Sequence, residues 1–166
     1  GSIMANKAVN DYAYVKLNGQ RENLQHAGYR SLGTMHRAEW KISEHQTVSA
    51  AGWYQASGRD IPPTMVMSQS RQHQTDRALR MSLQWNWLNG EQRVVSGVAL
   101  TQEYLHYTDE ISGIDAIYRN RTYSSHLEYK YVLTPLMMVD AGISGRLLTA
   151  ESIYYNGKED RPEAAG

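Results

Sequence analysis

The sequence predicts an all-β protein, an antiparallel up-and-down meander of about seven or eight long strands that forms part or all of a β-barrel. Three observations predict this fold. Apolar and polar residues alternate with a period of two along most of the chain, and no stretch shows the helical period. Very short and long connections alternate along the chain between these segments. Trp and Tyr residues gather close to the short connections.

Seven segments are predicted to be strands. The clearest contains "ALRMSLQWNW", residues 78–87, in which an apolar residue occupies every second position. Successive side chains of a strand point to opposite faces, so this segment has one apolar and one polar face. Residues 1–8, which begin with a Gly-Ser resembling a tag scar, and residues 161–166 are predicted to be tails of a single unit spanning residues 9–160. The predicted strands are Asp11–Asn18, Ser31–Ser43, Gln46–Ser57, Asp76–Leu88, Gln92–Thr108, Tyr118–Leu133 and Leu136–Tyr155.

The connections predict which ends of the strands lie together. Segments 43–46, 89–92 and 134–136 are predicted to be tight turns, because Asn-Gly at 89–90 is a strong hairpin signal and Pro135 suits a turn. Segments 19–30, 58–75 and 109–117 are predicted to be long loops. In a meander every second connection lies at the same end, so the turns gather at one end and the loops at the other. Short turns at one end and long loops at the other are typical of outer-membrane barrels.

The aromatic residues predict two bands with aliphatic residues between them. Such bands mark the two membrane interfaces of a barrel wall, and the alternative is that large aromatics fill a soluble core. The opposite face is polar, as expected for a lumen or for the solvent side of a soluble sheet. The turn-end band is Trp40, Trp85, Trp87, Tyr129 and Tyr131; the loop-end band is Trp53, Tyr104, Tyr107, Tyr118, Tyr123, Tyr154 and Tyr155; the aliphatic belt is Leu79, Met81, Leu83, Val98, Leu100 and Ile143.

Composition argues against several functions. The 17 basic and 17 acidic residues balance, so no nucleic-acid partner is expected. The chain contains no Cys, which excludes disulfides, thiol catalysis and thiolate metal sites. Its 6 His residues show no HxH or HExxH spacing, so no metal site is expected. We expect neither enzyme activity nor a cofactor.

Two segments resemble a known family. "YQASGRDIPPTM" (residues 54–65) and "DRALRMSLQWNW" (residues 76–87) resemble the barrel of TonB-dependent outer-membrane receptors, in particular those of Bacteroidetes-type bacteria. There an aromatic-rich strand is followed by a long loop that opens with a charged residue and "IPP", and the next strand starts with a similar "DRA-R". Residues 9–35 are similar to the strand, loop and strand that precede it, and the resemblance continues to about residue 160.

The resemblance implies a bacterial outer-membrane protein surrounded by lipid. Such receptors bind a large scarce nutrient, such as an iron chelate or cobalamin, at the loop end of a barrel of about 22 strands. They import it when TonB pulls on a plug domain. This sequence shows neither a plug domain nor a TonB box, so we expect no transport by the chain alone.

The family's extracellular loops and upper lumen contact the ligand, which implies Arg59, Asp60, Gln72 and Arg77 as ligand-binding candidates here. The alternative is that Arg59 and Asp60 only pair with neighbouring strands and that the two prolines, at positions 62 and 63, only shape the loop.

Two further interpretations remain open at the level of sequence. One is a self-contained soluble β-barrel or sandwich that binds a small ligand, redesigned from a receptor, because the chain has 12 Tyr but no Phe. The other is a small closed outer-membrane barrel of eight strands. Seven antiparallel strands do not close simply, so either "SIMANKA" or "GKEDRPEAAG" hides another strand, or the chain is a segment whose exposed edges pair with a second copy.

Overall fold

The structure, a computed structural model, describes residues 1–10, 12–15, 18–63, 69–156 and 159–165. The described part of the chain is all β. Within it, no helix has the length and apolar character needed to span a bilayer. The strands are β1 (Ser2–Ala8), β2 (Ala13–Val15), β3 (Arg21–Asn23), β4 (Tyr29–Ser43), β5 (Gln46–Ile61), β6 (Gln72–Asn89), β7 (Gln92–Asp109), β8 (Ile114–Thr134), β9 (Met137–Asn156) and β10 (Glu159–Ala165).

Eight of these strands form one antiparallel sheet in the order β1-β4-β5-β6-β7-β8-β9-β10, and β2 and β3 form a separate two-stranded sheet. From β4 to β10 every strand is hydrogen-bonded to the strand that follows it in the chain. The predicted all-β antiparallel meander is therefore confirmed. No pairing joins β1 to β10 among the described residues, so the sheet is open and has two edges.

Strands β4 to β9 pair in nearly continuous register. Opposite Met81 of β6 lie Gly52 of β5 and Leu100 of β7, and the same row continues to Tyr123 of β8. Register shifts occur only next to two tight turns, between Lys41 and Ser43 and between Val132 and Thr134. Directly opposed residues share a face, so each row keeps its side of the sheet across all six strands. We call the side that carries Met81 the apolar face and the other the polar face.

Nothing in the described part of the chain covers the apolar face. Its aliphatic side chains stay open to the surroundings: Met81 is 53%, Leu83 49% and Ile143 73% exposed. No large side chain is fully buried among the described residues. The sheet is therefore a single layer, in contrast to the two packed layers on which a globular β-domain depends.

The N-terminal prediction is wrong in its details. Residues 1–8 were predicted to be a tail, but Ser2–Ala8 forms β1 against β4. The predicted strand Asp11–Asn18 is instead a short hairpin in which Ala13–Val15 pairs with Arg21–Asn23; positions 11, 16 and 17 lie outside the described residues. Asn10, with φ of 53°, turns the chain away after β1. On the side away from β5, the partner of β4 is thus β1, and the hairpin lies in the connection between them.

The C-terminal end also forms a strand. The segment predicted as a tail at 161–166 belongs largely to β10, which pairs with β9 from Glu159 opposite Asn156 to Ala165 opposite Ala150. Both terminal segments that the sequence offered as hidden strands therefore join the sheet.

The other strands agree with prediction at the turn end and extend further at the loop end. β5 runs to Ile61 and β6 begins at Gln72, so the loop predicted for 58–75 shortens to 62–71, of which 64–68 are outside the described residues. The loop predicted for 109–117 is only the short connection 110–113 between β7 and β8. The three tight turns lie at one end as predicted, but the connections at the other end are not all long.

The Asn89–Gln92 turn explains the Asn-Gly signal. Among the described residues between β6 and β7, only Gly90 has a positive φ, of 58°, while Glu91 does not. A two-residue hairpin with glycine at its first central position has this geometry and matches the twist of the flanking strands. Gly90 is thus required by the backbone.

We predict that Gly90→Ala lowers the free energy of unfolding by about 1 kcal/mol, because a Cβ is unfavourable in the left-handed conformation. Gly52→Ala is the matched control: its φ is ordinary and an added Cβ meets nothing within 4 Å. The control should leave the free energy unchanged or raise it by up to about 1 kcal/mol. Denaturant unfolding measures both. Equal effects of the two substitutions would contradict the assigned turn.

Candidate functional site

The apolar face carries a band of aromatic residues at its turn end. Trp40 and Trp85 lie in one row on either side of Val48, and Trp87 lies in the next row. Tyr129 shares the row of Trp87 through Val94. All five predicted members of the turn-end band, including Tyr131 opposite Gln92, are on this face. The indole of Trp85 donates a hydrogen bond to the Gln46 side-chain oxygen at 3.3 Å.

The predicted loop-end band is divided between the two faces. The register places Tyr104 and Tyr123 on the apolar face but Trp53 and Tyr107 on the polar face, in the rows of Arg80 and Gln74. Tyr118 and Tyr154 are also on the polar face. The side chain of Tyr155 is not among those that the structure describes. Distance from the turns, which defined this band, does not determine the face, because neighbouring positions point to opposite sides.

Beyond the aliphatic belt the apolar face becomes charged. One row contains Arg77, Tyr104, Arg119 and Glu151. The guanidinium carbons of Arg77 and Arg119 lie 5.6 Å and 5.8 Å from the centroid of the Tyr104 ring, within cation–π range. A nitrogen of Arg119 donates to a carboxylate oxygen of Glu151 at 3.5 Å. We use the name arginine row for the group Arg77, Tyr104, Arg119 and Arg121. The first three residues are paired across the strands, and Arg121 lies on the same face, two residues from Arg119 towards the belt.

The aromatic band and the arginine row lie at opposite ends of the aliphatic belt. Trp87 and Arg77 are about ten residues apart on β6, or about 33 Å along the strand. In outer-membrane barrels, whose strands tilt by about 35–45°, a strand segment of this length would span about 25 Å across the layer. The apolar band of such barrels has about the same height.

Histidine–aspartate pairs occupy the loop end of the apolar face. His73 Nδ1 lies 2.9 Å from Asp60 Oδ1, and His106 Nε2 lies 2.7 Å from Asp115 Oδ1. His26 Nε2 is 4.0 Å from Asp60 and 2.8 Å from the Gln72 carbonyl oxygen. The backbone N–H of Asp60 also donates a hydrogen bond to the Gly28 carbonyl at 2.8 Å. Asp60 therefore links β5 to the segment that directly precedes β4.

The four ligand-binding candidates do not converge on one site. Arg59 and Gln72 lie on the polar face, whereas Asp60 and Arg77 lie on the apolar face, and Arg59, Asp60 and Gln72 are strand residues, not loop residues. Arg59 donates to the Gln74 side chain at 2.8 Å, and Gln72 donates to Asp109 at 3.1 Å. A ligand on one face can contact only two of them. Their role in ligand binding stays a prediction.

Asp109, which was not among the predicted site residues, fixes the connection from β7 to β8. One oxygen of its buried carboxylate accepts the backbone N–H of Ile111 at 3.0 Å and of Ser112 at 3.4 Å, and the other accepts the amide of Gln72. The Ser112 side chain, followed by these other donors, lowers the pKa of Asp109 although burial opposes the shift. Burial, and then the charge of Asp109, raises the pKa of Tyr107. The "D" of "DEIS" was the available signal, since Asp commonly bonds its own backbone in turns.

A groove of about 780 Å³ crosses the middle of the apolar face. It exists because Ala38, Ala50 and Gly52 are small, whereas Met81 and Leu83 on the neighbouring strand are large. Its lining includes Ala38, Ala50, Gly52, Met81, Leu83, Val98, Leu100 and Tyr123.

The described residues include no group of three or more His, Asp, Glu or Cys side chains arranged to hold a metal ion. Comparison with known proteins adds no assignment: no protein-family model matches the chain, and no curated protein matches its sequence.

We predict that Asp109 makes stability depend on pH in acid. Its pKa is lowered in the folded chain, so its contribution is complete above the ordinary aspartate pKa of about 3.9 and is lost as the pH falls through the lower folded value. Asp109→Asn should therefore flatten the stability curve below about pH 4. Denaturant midpoints across this range measure it, with the exposed neighbour Glu110→Gln as the control for charge. An unchanged slope in Asp109→Asn would refute the assignment.

Proposed function

We propose that the chain is a wall segment of an outer-membrane β-barrel of the TonB-dependent receptor type, which imports a large scarce nutrient such as an iron chelate or cobalamin and is not an enzyme. The observation that carries the proposal is the uncovered apolar face, bounded by an aromatic band at one end and the arginine row at the other. The family assignment is supported by the resemblance of residues 54–65 and 76–87, which lie on β5, the following loop and β6.

The uncovered apolar face of the sheet is more favourably surrounded by lipid than by water. Aliphatic side chains of a sheet need a covering layer in water, whereas hydrocarbon solvates them directly. The soluble alternative, a barrel or sandwich that binds a small ligand, requires an apolar core. The described residues supply no large buried side chain for one, so the membrane interpretation is the better supported of the two.

The polar face suits a water-filled lumen. On this face, Ser82 lies in the same row as Ser124, and Gln84 lies in the same row as His126. Lys130 and Asp140 form a salt bridge there, with their charged atoms 2.9 Å apart. Within this proposal a nutrient reaches the loop end of the lumen. Of the four candidates, only Arg59 and Gln72 are then placed to contact it.

The open edges imply further strand partners. Among the residues that the structure describes, β1 and β10 each have one edge without a pairing strand, and a free edge tends to recruit another strand. The proposal assigns these edges to the remainder of a barrel, with self-association between copies as the outcome when that remainder is absent. TonB would act through a plug domain and not on this wall.

We predict that Leu83→Lys lowers the free energy of unfolding in lipid vesicles by about 2–4 kcal/mol, because Leu83 lies in the middle of the proposed lipid-facing belt. The matched control is Ser82→Lys, one residue away and exposed on the polar face. The control should change the free energy by less than about 0.5 kcal/mol, as expected for an ordinary surface substitution.

The measurement is denaturant unfolding after reconstitution into phosphatidylcholine vesicles. A destabilisation by Ser82→Lys as large as that by Leu83→Lys would contradict the assignment of faces. A protein that stays monodisperse in water and does not enter the vesicles would refute the membrane proposal.

A further inference from the structure

The arginine row has more positive charge than the chain itself neutralises. Arg77 contacts Tyr104 by its guanidinium but pairs with no acid in the described structure. Arg121 is exposed and has no hydrogen-bond or ion-pair partner there. Of these three arginines, Arg119 alone has an acidic partner within the described part of the chain, namely Glu151. At this border of the apolar face, three positively charged guanidinium groups are therefore accompanied by a single paired carboxylate in the described structure.

The groove reaches this charged border. Tyr123, in its lining, is the next residue after Arg121 on the same face of β8, about 7 Å away along the strand. From Tyr123 on β8 the groove runs across the sheet, perpendicular to the strands, to Gly52 on β5 and His36 on β4. An elongated apolar site that ends at guanidinium groups is complementary to a molecule with a hydrocarbon chain and an anionic head.

We propose that this surface is a binding site for an anionic membrane lipid. The phosphate of its head group is held by Arg77, Arg119 and Arg121, and an acyl chain lies in the groove over Gly52. Arginine suits this role because its planar donors match phosphate oxygens and its charge is not lost near a membrane. The proposal rests on the proposed membrane function, since it requires the apolar face to contact lipid.

Tyr104 is a positioning residue in this site. Its ring, between two guanidinium groups, holds the Arg77 and Arg119 side chains apart and fixes their direction. Free phosphate would use the same charges but not the groove. The occupant is therefore a lipid, and inorganic phosphate serves as the probe that separates the two sources.

The test uses the full chain in non-ionic detergent micelles, titrated with phosphatidylglycerol, with phosphatidylcholine, or with inorganic phosphate, and read by native mass spectrometry. We expect phosphatidylglycerol to bind at least tenfold more tightly than phosphatidylcholine, since each arginine near an anionic lipid contributes about fivefold. The triple variant Arg77→Gln/Arg119→Gln/Arg121→Gln should remove this preference. Gly52→Leu, which fills the groove, should weaken both lipids.

Arg80→Gln is the matched control. Arg80 lies over the Trp53 ring at 4.9 Å and near Glu103 on the polar face, so it reproduces the cation–π contact without facing lipid. It should leave the preference intact. If the triple variant does not fold, Arg121→Gln alone keeps the test valid, because Arg121 supports no described hydrogen bond or ion pair, and it should lower the preference about fivefold.

The outcomes separate the two proposals. Equal binding of both lipids by a micelle-bound protein, or an equal loss in Arg80→Gln, overturns the lipid site and leaves the membrane function standing. Full competition by inorganic phosphate at millimolar concentration overturns the groove as part of the site. A chain that takes up neither detergent nor lipid overturns both.

Discussion

Everything proposed for this molecule depends on the in-register antiparallel pairing of six consecutive strands. From β4 to β9 a row begun on one strand continues on the next, and the shifts are confined to positions beside tight turns. A slip of one residue at any pair would transfer the apolar residues of every later strand to the polar face. The tight turn at Gly90 and its two counterparts limit slippage in three of these five strand pairs, and continuous backbone pairing keeps the register across β5–β6 and β7–β8.

The register also determines what each end of the sheet presents. At the turn end, Trp40, Trp85 and Trp87 fall on the same face, whereas at the loop end the same rule separates Trp53 from Tyr104. The apolar face consequently ends in aromatic residues on one side and in guanidinium groups on the other. Both chemistries suit a boundary between hydrocarbon and water, the first by its amphipathic rings and the second by its charge.

Alternation with a period of two, as in Leu79, Met81 and Leu83, was sufficient to predict strands with an apolar and a polar face, since periodicity is a local property, and turn residues predicted where the strands end beside the tight turns. The loop ends were not predictable in the same way. Strands β5 and β6 continue through Arg59 and Gln72 because backbone pairing extends as long as both partners are present, whatever their side chains. The arginine row was missed for a related reason: its members are far apart in sequence and meet only through the register.

Accessibility scanning along β6 tests the central claim, which is that one face of the sheet contacts lipid. The chain has no Cys, so single cysteines introduced from Ala78 to Asn86 can each carry a spin label after reconstitution into vesicles. Relaxation by oxygen, which concentrates in hydrocarbon, should be high at Leu79, Met81, Leu83 and Trp85, and relaxation by a water-soluble nickel complex should be high at Arg80, Ser82 and Gln84. Uniform access of the nickel complex at all positions would contradict the account.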